Sequence, residues 1–163
     1  MISISDNYLE DKDFFALQNA LFSEGFPMYY IPKVAYENDN SLGCYYMIHT
    51  MYEYPKGWLS GHKELIQPLL DKLGVKSLVK IKINYYPRTD KLLLHGLHRD
   101  NGFECKSALL FVNSNDGYTY LKNENMKIES VANRVLHFNS FFEHHSTTCT
   151  DQNLRCTINV NYF

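Results

Sequence analysis

Arg155-Cys156-Thr157-Ile158-Asn159-Val160-Asn161-Tyr162 alternates without a break. Successive side chains of an extended strand point to opposite faces, so one face carries Arg155, Thr157, Asn159 and Asn161. The other carries Cys156, Ile158, Val160 and Tyr162. A period of two, held this long, reads as a β-strand packed on one side. The polar face has two readings. It can simply meet water, as half-exposed antiparallel strands do. It can instead line a cavity, in which case its polar groups need partners. A bound carboxylate would then suit the guanidinium of Arg155 through bidentate, charge-assisted hydrogen bonds.

Outward from this segment, most of the chain has the same character. Tyr29–Tyr36, Cys44–Met51, Leu78–Tyr86, Ser107–Asn113, Tyr118–Leu121, Lys127–Val131 and Arg134–Phe138 are short and rich in β-branched or aromatic residues. Asn113-Ser-Asn-Asp-Gly117, Asn123-Glu-Asn125 and Asn133 supply turn chemistry between them. Two stretches differ. Asp11 or Asp13 can cap a helix running to about Glu24, with Phe14, Leu17 and Leu21 on one stripe. Phe15 and Phe22 are expected to widen that stripe and Gly25 to end the helix. Ser60 to Leu73 reads as a second helix closed by Gly74, which Pro68 is expected to kink or split. Many short strands with helices gathered in the N-terminal half predict a mostly β fold with flanking helices, a double-stranded β-helix or jelly roll.

At 163 residues the chain suits a single domain, 1–163, with a helical and strand support region over 1–77 and a functional core over 78–163. A net charge of −2 provides no field for nucleic acid, and Lys80, Lys82, Arg88, Lys91 and Arg99 are scattered among acids rather than striped. Cys44, Cys105, Cys149 and Cys156 show no CxxC spacing, which argues against a structural zinc finger. Residues 1–6 lack a basic and then apolar leader, and no apolar run is long enough to span a bilayer. The expectation is a cytoplasmic protein with reduced thiols and neither membrane nor nucleic acid as partner.

His98-Arg99-Asp100 gives the polar face of the last strand a chemical context. In an extended backbone His98 and Asp100 project from one face. With a second imidazole from a distant strand they make a 2-His-1-carboxylate facial triad, which holds ferrous iron and leaves coordination positions open. Arg155 would then grip the far end of a dicarboxylate co-substrate. His144 and His145 are both candidates for the second imidazole; as neighbours on a strand they must face opposite ways. His95 is a rival on the first segment, but no acid stands two residues beyond it. His49, His62 and His137 read as structural or surface residues.

Several motifs in fixed order resemble the small iron(II)/2-oxoglutarate oxygenases of the prolyl-4-hydroxylase type, including compact phage and bacterial forms. Tyr86-Pro87 followed by His98-Arg-Asp100-Asn101 is similar to that family's Tyr-Pro and His-x-Asp-Asn stretch. Ala108-Leu-Leu-Phe-Val-Asn113 resembles its hydrophobic strand ending in Asn, and Gly117-Tyr-Thr-Tyr120 stands where a Gly-Gly/Thr segment is usual. Asn133-Arg-Val-Leu-His-Phe138-Asn-Ser resembles the strand before the distal ligand, whose spacing selects His144. The resemblance implies iron(II) on His98, Asp100 and His144. It further implies 2-oxoglutarate held by Arg155 with help from Tyr86 and Asn159, and O2 as the second co-substrate. Succinate and carbon dioxide would be co-products of hydroxylating a C–H bond. The chain departs from the pattern at Asn159, where relatives often carry Thr, at Phe111, where they often carry Tyr, and at Asp116-Gly117 in place of Gly-Gly. Peptidyl proline as substrate is implied by the resemblance alone, with a small molecule as the other possibility. Tyr29, Tyr30, Tyr45, Tyr46, Tyr52 and Tyr54 could wall a peptide groove or fill a core and edge. A non-catalytic jelly-roll binding or structural module and a zinc hydrolase are the rival classes.

Overall fold

The computed structural model describes residues 2–33 and 45–163. In chain order its elements are β1 (Ser3–Ser5), α1 (Asp11–Leu21), β2 (Tyr29–Ile31), β3 (Tyr46–Glu53), β4 (Gly57–Trp58), α2 (Lys63–Leu73) and β5 (Leu78–Pro87). They continue with β6 (Lys106–Phe111), β7 (Asn115–Leu121), β8 (Met126–Ser130), β9 (Arg134–Asn139), β10 (His144–Ser146) and β11 (Leu154–Tyr162). β11 is an interior strand of the major sheet, whose order is β1-β9-β6-β11-β5-β3-β2 with β4 beside β3. It pairs antiparallel with β5 and with β6. The minor sheet has the order β10-β7-β8. Isolated bridges from Leu94 to Thr147 and from His98 to His144 lay the 88–100 segment against its β10 side. Two facing antiparallel sheets with helices on one outer face are a jelly roll, as the strand spacing predicts.

Both faces of β11 are buried, which settles the alternation in favour of the cavity. Cys156, Ile158, Val160 and Tyr162 point outward from the barrel, against Phe14, Leu17 and Leu21 of α1 and Ile66, Leu69 and Leu70 of α2. Ile81, Ile83 and Tyr85 of β5 join that layer. On the inner face, Leu109 and Phe111 of β6 and Leu136 and Phe138 of β9 meet Leu121 and Ile128 of the minor sheet. Fully burying a side chain such as Ile158 is worth ~1.5–3 kcal/mol, so the helical layer holds the sheet that carries the polar face.

Several local expectations shift. α1 ends at Leu21, with Phe22 as its C-cap, and Glu10 rather than Asp11 or Asp13 stands at the N-cap. The two aspartates lie in the first turn, where negative charge complements the helix dipole. Phe15 and Phe22 are largely exposed, so the stripe is narrower than expected. α2 is one helix with Pro68 inside it, closed by Gly74 in the left-handed conformation (φ +63°). Asn115-Asp-Gly117 opens β7 with a bulge instead of forming a free turn. Of the expected strands Tyr29–Tyr36 and Cys44–Met51, the parts over 34–36 and at Cys44 lie outside the described residues. Cys105, Cys149 and Cys156 are buried free thiols. Among the described residues, no helix is long and apolar enough to cross a membrane.

Candidate metal centre

His98 and His144 are brought together by register. Their backbones form an antiparallel bridge, each N–H donating to the other's carbonyl at 2.9 Å. Residues directly opposite in such a pair project to the same side, and the ring centroids lie 4.4 Å apart. The next inward-facing residue of the same segment is Asp100, whose N–H donates to Ser140 O. One ligand atom from each of His98, Asp100 and His144 lies within 4.8 Å of the others. Facial ligands of one ion, at bonds of about 2.1 Å and right angles, stand ~3.0 Å apart, so the side chains would draw together by up to ~1.8 Å to close the set.

Each member is oriented for the task. His98 Nδ1 lies 3.1 Å from Gly96 O, and His144 Nδ1 lies 2.9 Å from Phe142 O. A carbonyl only accepts, so both Nδ1 atoms carry the proton and both Nε2 atoms offer lone pairs to the site. Burial first, and then the neighbouring His144, push the pKa of His98 down to about 4, keeping it a neutral ligand. Asp100 Oδ2 is surrounded by Ser107 Oγ at 3.0 Å, Asn159 Nδ2 at 3.0 Å and Asn161 Nδ2 at 3.2 Å. Oδ1 instead faces His144 Nε2 at 3.6 Å. Burial alone would raise the Asp100 pKa; the adjoining His144 and the Asn159 hydrogen bond outweigh it and hold the carboxyl below its ordinary value. The outcome is an ionised carboxylate with one oxygen occupied and the other presented.

Arg155 lies at the other end of the same cavity, which is also lined by Tyr86, Thr119, Ser146 and Thr157. It is fully buried. Its Nε donates to Ser130 Oγ at 2.8 Å and one terminal nitrogen to Thr119 Oγ1 at 2.9 Å. Its guanidinium carbon stands 5.3 Å from the Tyr86 ring and 5.6 Å from the Phe111 ring. Among the described residues no carboxylate pairs with it. Burial pushes its pKa down to about 10, which still leaves it charged near neutral pH. An unpaired buried cation is costly in isolation, and an anion entering the cavity would offset that cost. Gly117 makes room: a Cβ there would lie 2.5 Å from Thr148 O and 2.7 Å from Arg155 Cδ.

The remaining expected residues divide. Tyr86 lies between Tyr46 and His95, with centroids 5.6 and 5.0 Å away. Its pKa is raised chiefly by burial. Asn159, expected to reach the co-substrate carboxylate, lines the same cavity and gives its amide to Asp100. His95 stays outside the ligand set, with Nδ1 2.8 Å from Ser146 Oγ. His145 faces the opposite side of the minor sheet, against Tyr118 and Tyr120. His49 is buried, with Nδ1 2.7 Å from Pro27 O. Ser107, Ser130, Thr119, Lys82 and Asn84 are participants that the sequence reading passed over. The last two were detectable, because Lys82-Ile-Asn-Tyr-Tyr86 places Lys82, Asn84 and Tyr86 on one face.

The strand order of the two facing sheets describes a jelly-roll fold. Solved structures with the same architecture include the following three. A prolyl hydroxylase from Trichoplax adhaerens, solved with a hypoxia-inducible-factor oxygen degradation domain peptide, matches with a TM-score of 0.65 at 18% identity, over 99% of this chain and 83% of that one. A viral collagen prolyl hydroxylase from Paramecium bursaria Chlorella virus-1, in complex with 2-oxoglutarate, matches with a TM-score of 0.67 at 12% identity, over 98% and 94%. A 2-oxoglutarate/Fe(II) oxygenase family oxidoreductase from Burkholderia pseudomallei matches with a TM-score of 0.67 at 14% identity, over 99% and 84%. No family model and no curated protein matches the chain.

Proposed function

We propose that this protein is an iron(II)- and 2-oxoglutarate-dependent dioxygenase that hydroxylates a C–H bond, with succinate and carbon dioxide as co-products. One observation carries the reading: a His-Asp-His set with both Nε2 atoms and one carboxylate oxygen free shares a cavity with a buried, unpaired guanidinium. Two neutral imidazoles and one carboxylate match the facial donor set of non-haem iron(II). Bound iron(II) supplies the oxidising chemistry, and the chain's own residues position and shield it. His98, Asp100 and His144 fix the metal through lone pairs aimed by backbone carbonyls and by the Ser107-Asn159-Asn161 cluster. Arg155 receives the distal carboxylate of 2-oxoglutarate, with the Tyr86 hydroxyl beside it. Leu109 and the stacked Tyr86 ring keep the walls dry. Every proposed ligand comes from 78–163, while α1 and α2 brace the sheet from behind. For the substrate, a peptidyl proline is favoured by the prolyl hydroxylases among the structural neighbours, one of them holding a peptide.

Anaerobic addition of Fe(II) and then 2-oxoglutarate should produce a weak metal-to-ligand charge-transfer band in the visible. His144→Ala should abolish it and His145→Ala should retain it. A folded protein that stays spectroscopically silent would indicate a non-catalytic jelly-roll module instead. Substrate-dependent succinate release from proline-containing peptides then tests the substrate.

A further inference from the structure

Lys82 is the one charged group of the cavity that the proposed reaction leaves without a task. It sits on the inner face of β5, opposite Asn159 in the β5–β11 register, whereas Tyr86 is opposite Arg155. Four strand residues span about 13 Å, so Lys82 stands at the metal end and Arg155 at the far end. The two cations therefore enter the cavity from strand positions four residues apart, although the Lys82 charge also acts on the Tyr86 hydroxyl. The Lys82 ammonium lies 5.6 Å over the ring of Tyr46, which is stacked on Tyr86 with only 7° between the planes. The charge is thus braced toward the site, and it contributes to holding the Asp100 carboxyl below its ordinary pKa. Among the described residues Lys82 forms no ion pair, and Asp100 is the only acid lining the cavity.

Charge balance then decides what Lys82 is for. In the loaded site proposed above, the metal dication and Arg155 together offset Asp100 and the 2-oxoglutarate dianion, and the imidazoles are neutral. Lys82 remains as a surplus positive charge in a half-buried position, where a lone cation is disfavoured unless something answers it. A second unanswered group adjoins it. Asn84, two residues along the same face and 3% exposed, donates to Thr157 Oγ1 while its buried Oδ1 has no hydrogen-bond partner among the described residues. An ammonium beside an open amide acceptor matches a ligand with a carboxylate and a neighbouring N–H.

Resting on the oxygenase reading, we infer that the primary substrate carries a carboxylate close to the carbon that reacts, and that Lys82 binds it. An acidic peptide side chain and the free carboxylate of an acylated amino acid share this chemistry. The test uses protein loaded with redox-inert Zn(II) and saturating 2-oxoglutarate, with binding read by ligand-observed NMR. N-acetyl-L-leucine and acetyl-Pro-Asp-amide, each with an N–H beside its carboxylate-bearing carbon, are compared with their neutral counterparts, N-acetyl-L-leucinamide and acetyl-Pro-Asn-amide. At least one acid should bind about ten-fold or more tightly than its amide, as loss of one charge-assisted contact implies. Lys82→Met should erase that preference, and Lys82→Arg should keep part of it. Which acid responds distinguishes the peptide from the amino-acid source. Acids and amides that behave alike, whether both bind or neither does, overturn the inference. So does a preference that survives in Lys82→Met, or a loss of 2-oxoglutarate affinity in that variant as large as in Arg155→Met. Failure of wild-type protein to bind 2-oxoglutarate at all would instead strike the oxygenase reading, and the two failures are separable.

Discussion

Arg155 shows how a residue's strand face can be legible in the sequence while its neighbours are not. Its place on a polar strand face was visible in the alternation of β11, and so was its suitability for a carboxylate. Its neighbours were not visible, because Ser130 and Thr119 come from β8 and β7 and reach it only through sheet closure. The same holds for Asn159. The family resemblance implied a co-substrate role, and the fold also brings Asp100 within 3.0 Å of its amide. The guanidinium carries a prediction with two signs. Removing a hydrogen-bonded charge partner from a buried pair costs about 2–5 kcal/mol, so Arg155→Met should weaken 2-oxoglutarate binding by roughly a hundred-fold or more. The ligand-free fold should not suffer in proportion, since replacing buried charge with apolar volume is often neutral or stabilising. Calorimetric titration and thermal melts of the same variant check both parts. An unchanged 2-oxoglutarate affinity would remove Arg155 from the co-substrate site.

At the scale of elements, hydrophobic period found nearly every long strand, because burial on one or both faces leaves a clear pattern. It failed where an element is short or made mainly by partners. β1, β4 and β10 are two or three residues each, too short for a period to develop, and the segment before Asp100 is held by isolated bridges. β7 is the informative case. Asn115-Asp-Gly117 has turn composition, yet the backbone there is drawn into the sheet so that Arg155 can pass beneath it. Gly117 is needed for the absence of a Cβ, not for an unusual φ. Since the closest atom to an added Cβ is the backbone oxygen of Thr148, no side-chain rotation can make space. Gly117→Ala should therefore cost about 1–3 kcal/mol of stability, the range for forced overpacking, and should lower 2-oxoglutarate affinity by displacing Arg155. Chemical denaturation and the same titration measure both; wild-type values in each would show that the loop yields freely.

On the scale of the whole molecule, the proposed ligands draw on both sheets. His144 belongs to β10 of the minor sheet, whereas Asp100 is tied through Ser107, Asn159 and Asn161 to β6 and β11 of the major sheet. His98 and Asp100 both ride on a segment with no regular secondary structure, which the backbone hydrogen bonds of His95, His98 and Asp100 attach to Ser146, His144 and Ser140. A metal held by all three side chains would therefore cross-link the sheets and the connecting segment at one point. Ligand that binds only the folded form stabilises it by mass action, about 2.7 kcal/mol at a hundred times its dissociation constant. Opening of the 91–101 segment with its ligands in place would break the site, so its amides should share in that stabilisation. The distal helices should gain less wherever they open independently of the metal site. Hydrogen exchange with and without Zn(II) should accordingly show the largest added protection at 91–101 and 142–146, and little at the ends of α1. The same experiment on Asp100→Asn should lose the effect, because an amide binds a dication far less well than a carboxylate. Protection spread evenly over the chain, or concentrated away from these two segments, would mean that the ion is held elsewhere.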